Sequence, residues 1–195
     1  MNSEIKLILA SASPQRRELL GKLGVNFEIH PPQVDESALP GETPAQLVAR
    51  LAALKSAAVQ QLYPEAAVLA ADTVISCDGR VLGKAADRQG AFDMLMTLSG
   101  RTHEVLTAVC LRLGELKKAQ VVRSEVTFAE LTPQLVWWYV NGGEYEGKSG
   151  SYAVQGQASA LIRSVNGSVS SVVGLPLCEV RTMLSELDLF QVRPC

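Results

Sequence analysis

The sequence predicts an α/β fold in which a mixed, twisted sheet is flanked by helices. Short apolar runs alternate with segments that begin at Ser-Pro or Thr-Pro pairs, a pattern typical of strands followed by helices. The Asp78-Gly79 pair between two strand-like runs predicts a tight hairpin, so the strands cannot all be parallel. With 195 residues, 47% of them hydrophobic, the chain is expected to form one domain over residues 1–195, either one large unit or two small lobes that share a cleft.

The N-terminal half is expected to alternate strands and helices. Ser13 and Thr43 are good helix N-caps, and each is followed by a proline, which suits the first helical position. The expected strands are residues 6–10, 25–29 and 67–76 and a short strand ending at Gly83-Lys84; the expected helices are residues 14–24, 43–61 and 87–98.

The C-terminal half is expected to begin with two strands joined by a turn around Gly114. Thr132-Pro133 marks the start of a further helix, and the glycines after Asn141 mark its end. The expected elements are strands at 103–113 and 120–131, a helix at 132–141, a polar loop at 144–151, a strand around 152–164 and a last helix from about 174 to 187.

Charge and cysteine content narrow the classes of function. A net charge of -2 gives the chain no overall attraction to a nucleic-acid backbone, and no apolar run approaches the length that spans a bilayer. The apolar run at residues 5–10 is too short for a signal peptide, and the four cysteines form no C-x-x-C pair. We therefore expect a cytoplasmic protein with free thiols that binds neither nucleic acid nor a membrane.

The first strand–helix junction is a candidate anion site. A helix N-terminus presents unpaired N–H groups and a positive dipole end, to which Ser11 and Ser13 add hydroxyls. Arg16 and Arg17 lie in the first turn, where positive charge opposes the dipole, so a bound phosphate explains them better than the needs of the helix. On this local pattern alone, an ordinary capped helix with solvated arginines is an equal alternative.

Acidic residues elsewhere are candidates for a metal site. Asp72 interrupts an apolar strand, where a buried carboxylate needs a cation, a metal or hydrogen-bond donors as partners. Asp35 and Glu36 follow a Pro-Pro break and would be unremarkable alone, but together with Asp72 they would supply the oxygen ligands that Mg²⁺ prefers. Weaker candidates are Lys55, Lys84, Lys148 and Gln155, and neither a P-loop nor a Rossmann glycine motif is present.

Taken in order along the chain, these stretches resemble the Maf (septum formation protein) family. The resemblance covers nearly the whole chain, and its ordered set of motifs is more specific than any single one of them. The matching stretches are L-I-L-A-S-A-S-P-Q-R-R-E-L-L at 7–20, V-D-E at 34–36, R-L-A-A-L-K at 50–55, A-D-T-V at 71–74, G-K at 83–84, L-S-G at 98–100, K-S-G-S-Y-A-V-Q-G at 148–156 and V-V-G-L-P-L at 172–177.

The resemblance implies a Maf/inosine triphosphatase-like α/β fold with a deep cleft between two lobes. It also implies a nucleoside triphosphate pyrophosphatase that needs a divalent metal such as Mg²⁺, Mn²⁺ or Co²⁺ and often forms homodimers. Carried over by motif, Asp72 is the expected proton acceptor, Glu36 and Asp72 the metal ligands, and Lys55 and Lys84 further catalytic residues that hold the triphosphate. The expected substrate-binding residues are Ser11, Ser13, Gln15, Arg16, Thr73 and Gln155.

Base preference is implied by three positions of the family motifs. Thr73 and Gln155 resemble the branch that hydrolyses dTTP and UTP, whereas the branch that hydrolyses 7-methyl-GTP tends to carry Gln and Glu there. Gln15 departs from the Arg that is usual in the dTTP/UTP branch, which predicts altered affinity or a broader choice of base. The alternatives are a 7-methyl-GTP pyrophosphatase, a non-enzymatic nucleotide-binding regulator of cell division and a nucleic-acid-binding protein, of which the acidic pI makes the last the weakest.

Overall fold

A computed structural model describes residues 5–191 of the chain, so Cys195 lies outside the described residues. Strands and helices alternate in the first half, as the sequence predicts. The elements are β1 (Leu7–Leu9), α1 (Pro14–Gly21), β2 (Glu28–Ile29), α2 (Pro44–Leu62), β3 (Ala67–Cys77), β4 (Arg80–Leu82), α3 (Arg88–Leu98), β5 (Thr102–Leu113), β6 (Leu116–Phe128), α4 (Pro133–Asn141), a 3₁₀ helix (Gln157–Leu161), β7 (Ile162–Asn166), α5 (Val169–Val173) and α6 (Leu177–Ser185).

The strands form one sheet of mixed direction. Its order is β2-β1-β3-β5-β6-β7, and β4 pairs with β3 outside this path. The strand β1 lies parallel to β2 and β3, whereas the β3–β4 and β6–β7 pairs are antiparallel. The predicted mixed α/β sheet with flanking helices is therefore confirmed. Among the helices of residues 5–191, none combines the length and the apolar character that crossing a membrane requires.

The chain divides into two compact units. The first comprises the chain up to Asp72, Thr107–Val121 and the chain from Gly174 onwards; the second comprises Thr73–Leu106 and Val122–Val173. In the first unit, Val59 of α2 packs with buried residues of β1 and β3. The second unit has its own core, in which α3 and α4 contribute residues such as Leu95 and Tyr139. That the whole chain is a single domain stays a prediction.

The two proline-started helices form as the sequence predicts. The Ser13 side chain accepts a hydrogen bond from the backbone N–H of Arg16, and Pro14 is the first residue of α1. At the start of α2, Thr43 and Gln46 form a reciprocal capping box, which satisfies two backbone donors that would otherwise be unpaired. These caps fix where α1 and α2 begin.

Three expected elements differ clearly from the structure, and one observed helix was not expected. The strand predicted at 25–29 is reduced to two exposed residues, because its neighbour β1 is itself only three residues long. The second long strand begins at Leu116 rather than at residue 120, and the short helix α5 was not predicted. The strand predicted around 152–164 is wrong in its first ten residues, which form turns and a 3₁₀ helix. There the backbone N–H groups of Gly156 and Ser159 bond to carbonyls three residues earlier, so they are not available to a neighbouring strand.

Candidate functional site

Asp72 lies at the centre of the candidate site in the first unit. It is only 6% exposed, within the largely apolar strand β3, and its Oδ1 is 2.7 Å from the Nζ of Lys55. Lys55 projects from α2 and is equally buried. The partner that a buried carboxylate requires is thus a lysine ammonium on the neighbouring helix.

Glu36 approaches the same ammonium from the irregular segment between β2 and α2. Its Oε2 is 2.8 Å from the Nζ of Lys55, so one lysine binds two carboxylates at once. The Glu36 side chain is 56% exposed, whereas the side chains of Asp72 and Lys55 are almost fully buried. Acidic oxygens from two segments far apart in sequence therefore meet at one point, as the motif resemblance implies.

Arg16 of α1 belongs to the same electrostatic cluster. Its Nε donates a 2.9 Å hydrogen bond to the carbonyl of Gly174, which fixes the side chain between α1 and the segment before α6. Burial lowers the pKa of Arg16, and the negative charges of Asp72 and Glu36 oppose that shift. Arg17, the other arginine of the pair, is exposed.

The start of α1 carries the predicted hydroxyl groups. Ser11 is buried, and its Oγ accepts a hydrogen bond from the backbone N–H of Ser13. The Oγ of Ser13 lies 3.1 Å from the Oε1 of Gln15 and donates to it. These side chains are held by local hydrogen bonds at the positive end of the helix, which is a suitable place for an anion.

The pKa of Asp72 is raised overall, although its surroundings act on it in opposing directions. Burial raises the pKa of Asp72, because the charged form loses solvation. The positive charges of Lys55 and Arg16 lower it, and the nearby carboxylate of Glu36 raises it further. A carboxylate in such surroundings is typical of sites that bind cations or transfer protons.

The remaining predicted residues lie in the second unit. Thr73 follows Asp72 directly on β3, and Lys84 follows β4 and forms an isolated antiparallel bridge with Ser149. Gln155 is part of the turns that precede the 3₁₀ helix. Whether Lys84 and Gln155 act on the same substrate as the first-unit residues stays a prediction.

The donor set fits a hard divalent cation that also binds substrate. Glu36 and Asp72 each place an oxygen within 2.8 Å of one nitrogen, so they converge closely enough to contribute ligands to one ion. Among residues 5–191 no group of three or more His, Cys, Asp or Glu side chains is placed to hold a metal by itself. Such a pair suits Mg²⁺, which is commonly bound by one or two carboxylates together with water and phosphate oxygens.

Two contacts of the site were not anticipated from the sequence. Gly174 supplies the carbonyl that binds Arg16, and Arg50 of α2 binds the Ser37 carbonyl next to Glu36. Both residues lie in quoted motifs, R-L-A-A-L-K and V-V-G-L-P-L, but nothing in the pattern assigns them a role. The signal was their position within those motifs, while their partners depend on the tertiary structure.

Comparison with known proteins places this chain in a family. The family model described as Maf-like protein matches residues 6–187. The chain belongs to the Maf family. The resemblance noted in the sequence is thereby confirmed over almost the whole length of the chain.

Maf relatives of high similarity share one name. A protein of Symbiobacterium thermophilum is 48% identical over 181 residues, covering 93% of both chains, and one of Anaeromyxobacter dehalogenans is 50% identical over 184 residues, covering 92% of both. Each of these relatives is named dTTP/UTP pyrophosphatase. Among solved structures, a HAM1 protein from Coxiella burnetii matches with a TM-score of 0.54 at 16% identity, over 94% of this chain and all of that one, which shows similarity of fold.

Proposed function

We propose that this Maf protein hydrolyses dTTP and UTP to the monophosphate and pyrophosphate. The proposal rests on one observation: Lys55 forms ion pairs with both Asp72 and Glu36 within the first unit. The charges of both carboxylates also act on the pKa of Arg16. A triphosphate needs this combination, because its negative charge must be balanced while a base activates water. The names of the similar Maf proteins support the same substrates.

The proposed reaction is an attack of water on the α-phosphorus. Asp72 accepts a proton from the water as the new P–O bond forms, and the bond between the α-phosphorus and the bridging oxygen breaks. Pyrophosphate leaves with the electrons of that bond. Arg16, Lys55 and Lys84 stabilise the negative charge that develops on the phosphate oxygens.

Glu36 and Asp72 would hold the divalent metal ion. When bound, the ion neutralises charge on the phosphate oxygens and helps to fix their orientation. The chain's own contribution is the buried Lys55, which keeps both carboxylates close together before any cation arrives. We propose Mg²⁺, Mn²⁺ or Co²⁺ as the cofactor on the basis of these oxygen donors.

Base choice is proposed to rest on Thr73, Gln155 and Gln15. The side-chain amides of Gln15 and Gln155 each offer a donor and an acceptor, so they can bind the edge of a pyrimidine. The Oε1 of Gln15 accepts a hydrogen bond from the hydroxyl of Ser13. The substrate-binding roles proposed for Ser11 and Ser13 are supported by their place at the N-terminus of α1.

A triphosphate panel tests the proposal. The purified chain is incubated with dTTP, UTP, 7-methyl-GTP and the remaining common triphosphates, with and without Mg²⁺ or Mn²⁺, and the monophosphate and pyrophosphate are quantified. We expect turnover of dTTP and UTP that requires the metal. Preference for 7-methyl-GTP would favour the alternative Maf activity, and binding without turnover would favour a non-enzymatic regulator.

The variant Asp72→Asn tests the assignment of the base. It keeps the side-chain shape but removes the proton acceptor, so kcat should fall by about a hundred- to ten-thousand-fold. The matched control is Asp93→Asn, which makes the same change at an exposed position of α3. Turnover by Asp72→Asn within a few-fold of the wild type would refute the proposed role.

We further propose that the protein is cytoplasmic and forms a homodimer. The cysteines within the described range, Cys77, Cys110 and Cys178, are free thiols, which supports a cytoplasmic location. A homodimer is proposed from the family resemblance alone. Sedimentation equilibrium of the purified chain distinguishes monomer from dimer directly.

A further inference from the structure

The segment that carries Glu36 has no regular secondary structure of its own. Residues 30–43 contain neither helix nor strand, and the Glu36 side chain is more than half exposed. A glutamate in such a segment loses considerable side-chain and backbone entropy when it is held in one place. Its contact with Lys55 therefore needs support from other parts of the chain.

Arg50 supplies contacts to this segment from the second turn of α2. Its Nε lies 2.6 Å from the Oε1 of Glu42, and its Nη2 lies 2.8 Å from the Oε2, so the pair is bidentate. The same Nη2 donates a 2.9 Å hydrogen bond to the carbonyl of Ser37, the residue after Glu36. The guanidinium thus joins the helix to the irregular segment at two points.

Further hydrogen bonds extend this network through the segment. The Oε2 of Glu42 also accepts from the backbone N–H of Leu39, and the backbone N–H of Ser37 donates to the Oδ1 of Asp35. Hydrogen bonds to Arg50 lower the pKa of Glu42 to about 2, so the pair remains charged at neutral pH. Both neighbours of Glu36 in sequence are therefore held by named contacts.

We propose that Arg50 is a positioning residue that, together with Glu42, holds Glu36 beside Lys55. The inference rests on the proposed function, in which Glu36 serves the metal and the triphosphate. Arg50 and Lys55 are five residues apart on α2, a rise of about 7.5 Å along the helix. One rigid helix therefore carries both the residue that fixes the backbone next to Glu36 and the residue that meets its carboxylate.

The role requires an arginine rather than any positive charge. Two nitrogen atoms in one plane contact the two oxygens of Glu42 while the Ser37 carbonyl is also bound, which only a guanidinium fork can do. A lysine ammonium at position 50 keeps the charge but loses this geometry. The variant Arg50→Lys therefore tests the geometry of the guanidinium without removing its charge. The variant Glu42→Gln weakens the same hydrogen bonds by changing the acceptor.

The test measures three properties of Arg50→Lys, Glu42→Gln and Glu36→Gln. These are kcat and KM for dTTP, the affinity for Mn²⁺ without nucleotide by calorimetry, and the hydrogen exchange of the Ser37 and Leu39 amides. We expect Arg50→Lys to lower Mn²⁺ affinity and kcat/KM by roughly ten- to a hundred-fold, the range typical of groups that orient a metal ligand. Amide exchange should accelerate in Arg50→Lys and Glu42→Gln but not in Glu36→Gln.

A double variant separates positioning from general stability. If Arg50 acts through Glu36, then Arg50→Lys should change Mn²⁺ affinity by less than about two-fold in the Glu36→Gln background. The matched control is Arg123→Lys, which alters a surface pair with Glu104 at 2.9 Å in the second unit and should leave all three properties unchanged. Thermal unfolding of every variant shows whether the fold is intact.

Three results would overturn the inference. Arg50→Lys with wild-type Mn²⁺ affinity and kcat/KM would do so, as would an equal fall in the presence and absence of the Glu36 carboxylate. Unchanged amide exchange in both Arg50→Lys and Glu42→Gln would show that the network does not order the segment. If the wild type hydrolyses no triphosphate, the proposed function fails, while the Mn²⁺ and amide-exchange results still decide whether Arg50 positions Glu36.

Discussion

The two compact units hold the segments that carry predicted site residues by different physical means. In the first unit, Glu36, Lys55 and Asp72 are joined by ion pairs, and burial removes two of these three side chains from water. In the second unit, the segment that carries Gln155 is held mainly by neutral contacts. The Nε2 of His103 lies 2.7 Å from the hydroxyl of Tyr152, and both rings pack edge to face with Phe128.

Because of this difference, we expect the two units to respond differently to mutation. Charges that stabilise the first unit are the same charges that are proposed to act on the substrate, so stability and activity are coupled there. The neutral aromatic and backbone contacts of the second unit have no proposed chemical role. Substitutions there should therefore change stability according to side-chain shape and burial, not according to charges that act on the substrate. Four substitutions, ordered by the size of the expected effect, test this contrast.

The largest effect is expected for Lys55→Met, which keeps the length of the side chain and removes its charge. Asp72 is then buried without its partner, and breaking a buried pair in this way costs about 3 to 5 kcal/mol of unfolding free energy. We also expect kcat to fall by about a hundred-fold or more, because a charge next to the phosphates is lost. Urea unfolding and pyrophosphate release measure the two effects.

Two companion variants show whether stability and activity are coupled through charge. Lys55→Met combined with Asp72→Asn should recover part of the lost stability without recovering activity, because no buried charge is left unpaired. Lys22→Met is the control, since it removes an exposed ion pair with Glu18 that should contribute less than about 1 kcal/mol. Equal stability of the single and double variants would contradict the charge-based account of the first unit.

The second largest effect is the loss of stability at low pH that is expected from His103, a buried histidine of the second unit. Burial lowers the pKa of His103 to about 4, from about 6.5 for an unperturbed histidine. The unfolded chain therefore takes up a proton as the pH falls below about 6.5, while the folded chain resists protonation until about pH 4. The contribution of neutral His103 to stability is present above about pH 6.5 and is lost progressively towards pH 4.

Urea unfolding of the wild type and of His103→Gln at pH 7, 5.5 and 4 measures this loss. The wild type should lose ~3 kcal/mol more than the variant over that range, because the glutamine does not titrate. His30→Gln is the matched control, since it removes the other histidine of the chain. A parallel loss of stability in the wild type and in His103→Gln would contradict the burial of a neutral imidazole.

These two regions also differ in how far the sequence predicts them. Ser13 and Thr43 identify the starts of α1 and α2 because capping is a local interaction that involves residues three apart. Asp72 stands out because a carboxylate in an apolar run requires a partner. The family motif implies that Lys55 holds the triphosphate, but it does not identify Lys55 as that partner, since residues 17 positions apart leave no local trace of their contact.

The segment before β7 could not be predicted from its pattern. Its apolar residues resemble a strand, but Tyr152 belongs to no strand and its ring packs instead against the rings of His103 on β5 and Phe128 on β6. Ser151 adopts a φ of 61°, a conformation that sequence reasoning does not assign to serine. Arg50 was missed for a similar reason, because its partners Glu42 and Ser37 depend on the path of an irregular segment.

The third substitution, Gly150→Ala, tests how closely side chains pack against the backbone in the second unit. Gly150 has a φ of 67°, and a Cβ there would lie 2.5 Å from the Cδ1 of Ile75. Its backbone N–H also donates to the carbonyl of Gly83, next to Lys84. We expect a loss of about 2 to 3 kcal/mol, from the left-handed backbone and the overpacked contact together.

The control for Gly150→Ala is Gly147→Ala in the same segment. Gly147 has a φ of 69° but open space around a Cβ, so only the backbone cost of about 1 kcal/mol should remain. Adding Ile75→Val to Gly150→Ala removes the clashing methyl group and should restore part of the difference. Equal losses at Gly147 and Gly150 in urea unfolding would show that the close approach to Ile75 has no energetic weight.

The smallest effect on stability is expected for Glu144→Gln. This variant tests a charged residue that contacts a segment of the second unit held mainly by neutral contacts. The two carboxylate oxygens of Glu144 accept hydrogen bonds from the backbone N–H groups of Gln157 and Ala158, at 2.9 and 3.2 Å. Glutamine keeps the shape and one acceptor but turns an N–H group towards the other donor. A loss of about 1 kcal/mol is expected, measured by urea unfolding at pH 7.

Glu144→Ala distinguishes a role in shape from a role in charge. It leaves both backbone donors unpaired, so it should cost more than Glu144→Gln if hydrogen bonding is what matters. A Cβ at Gly156 would clash with the Oε1 of Glu144, so Gly156→Ala should be tolerated better once that carboxylate is absent. If Glu144→Gln instead costs as much as Glu144→Ala, charge supports this segment too, and the contrast between the two units would be one of degree.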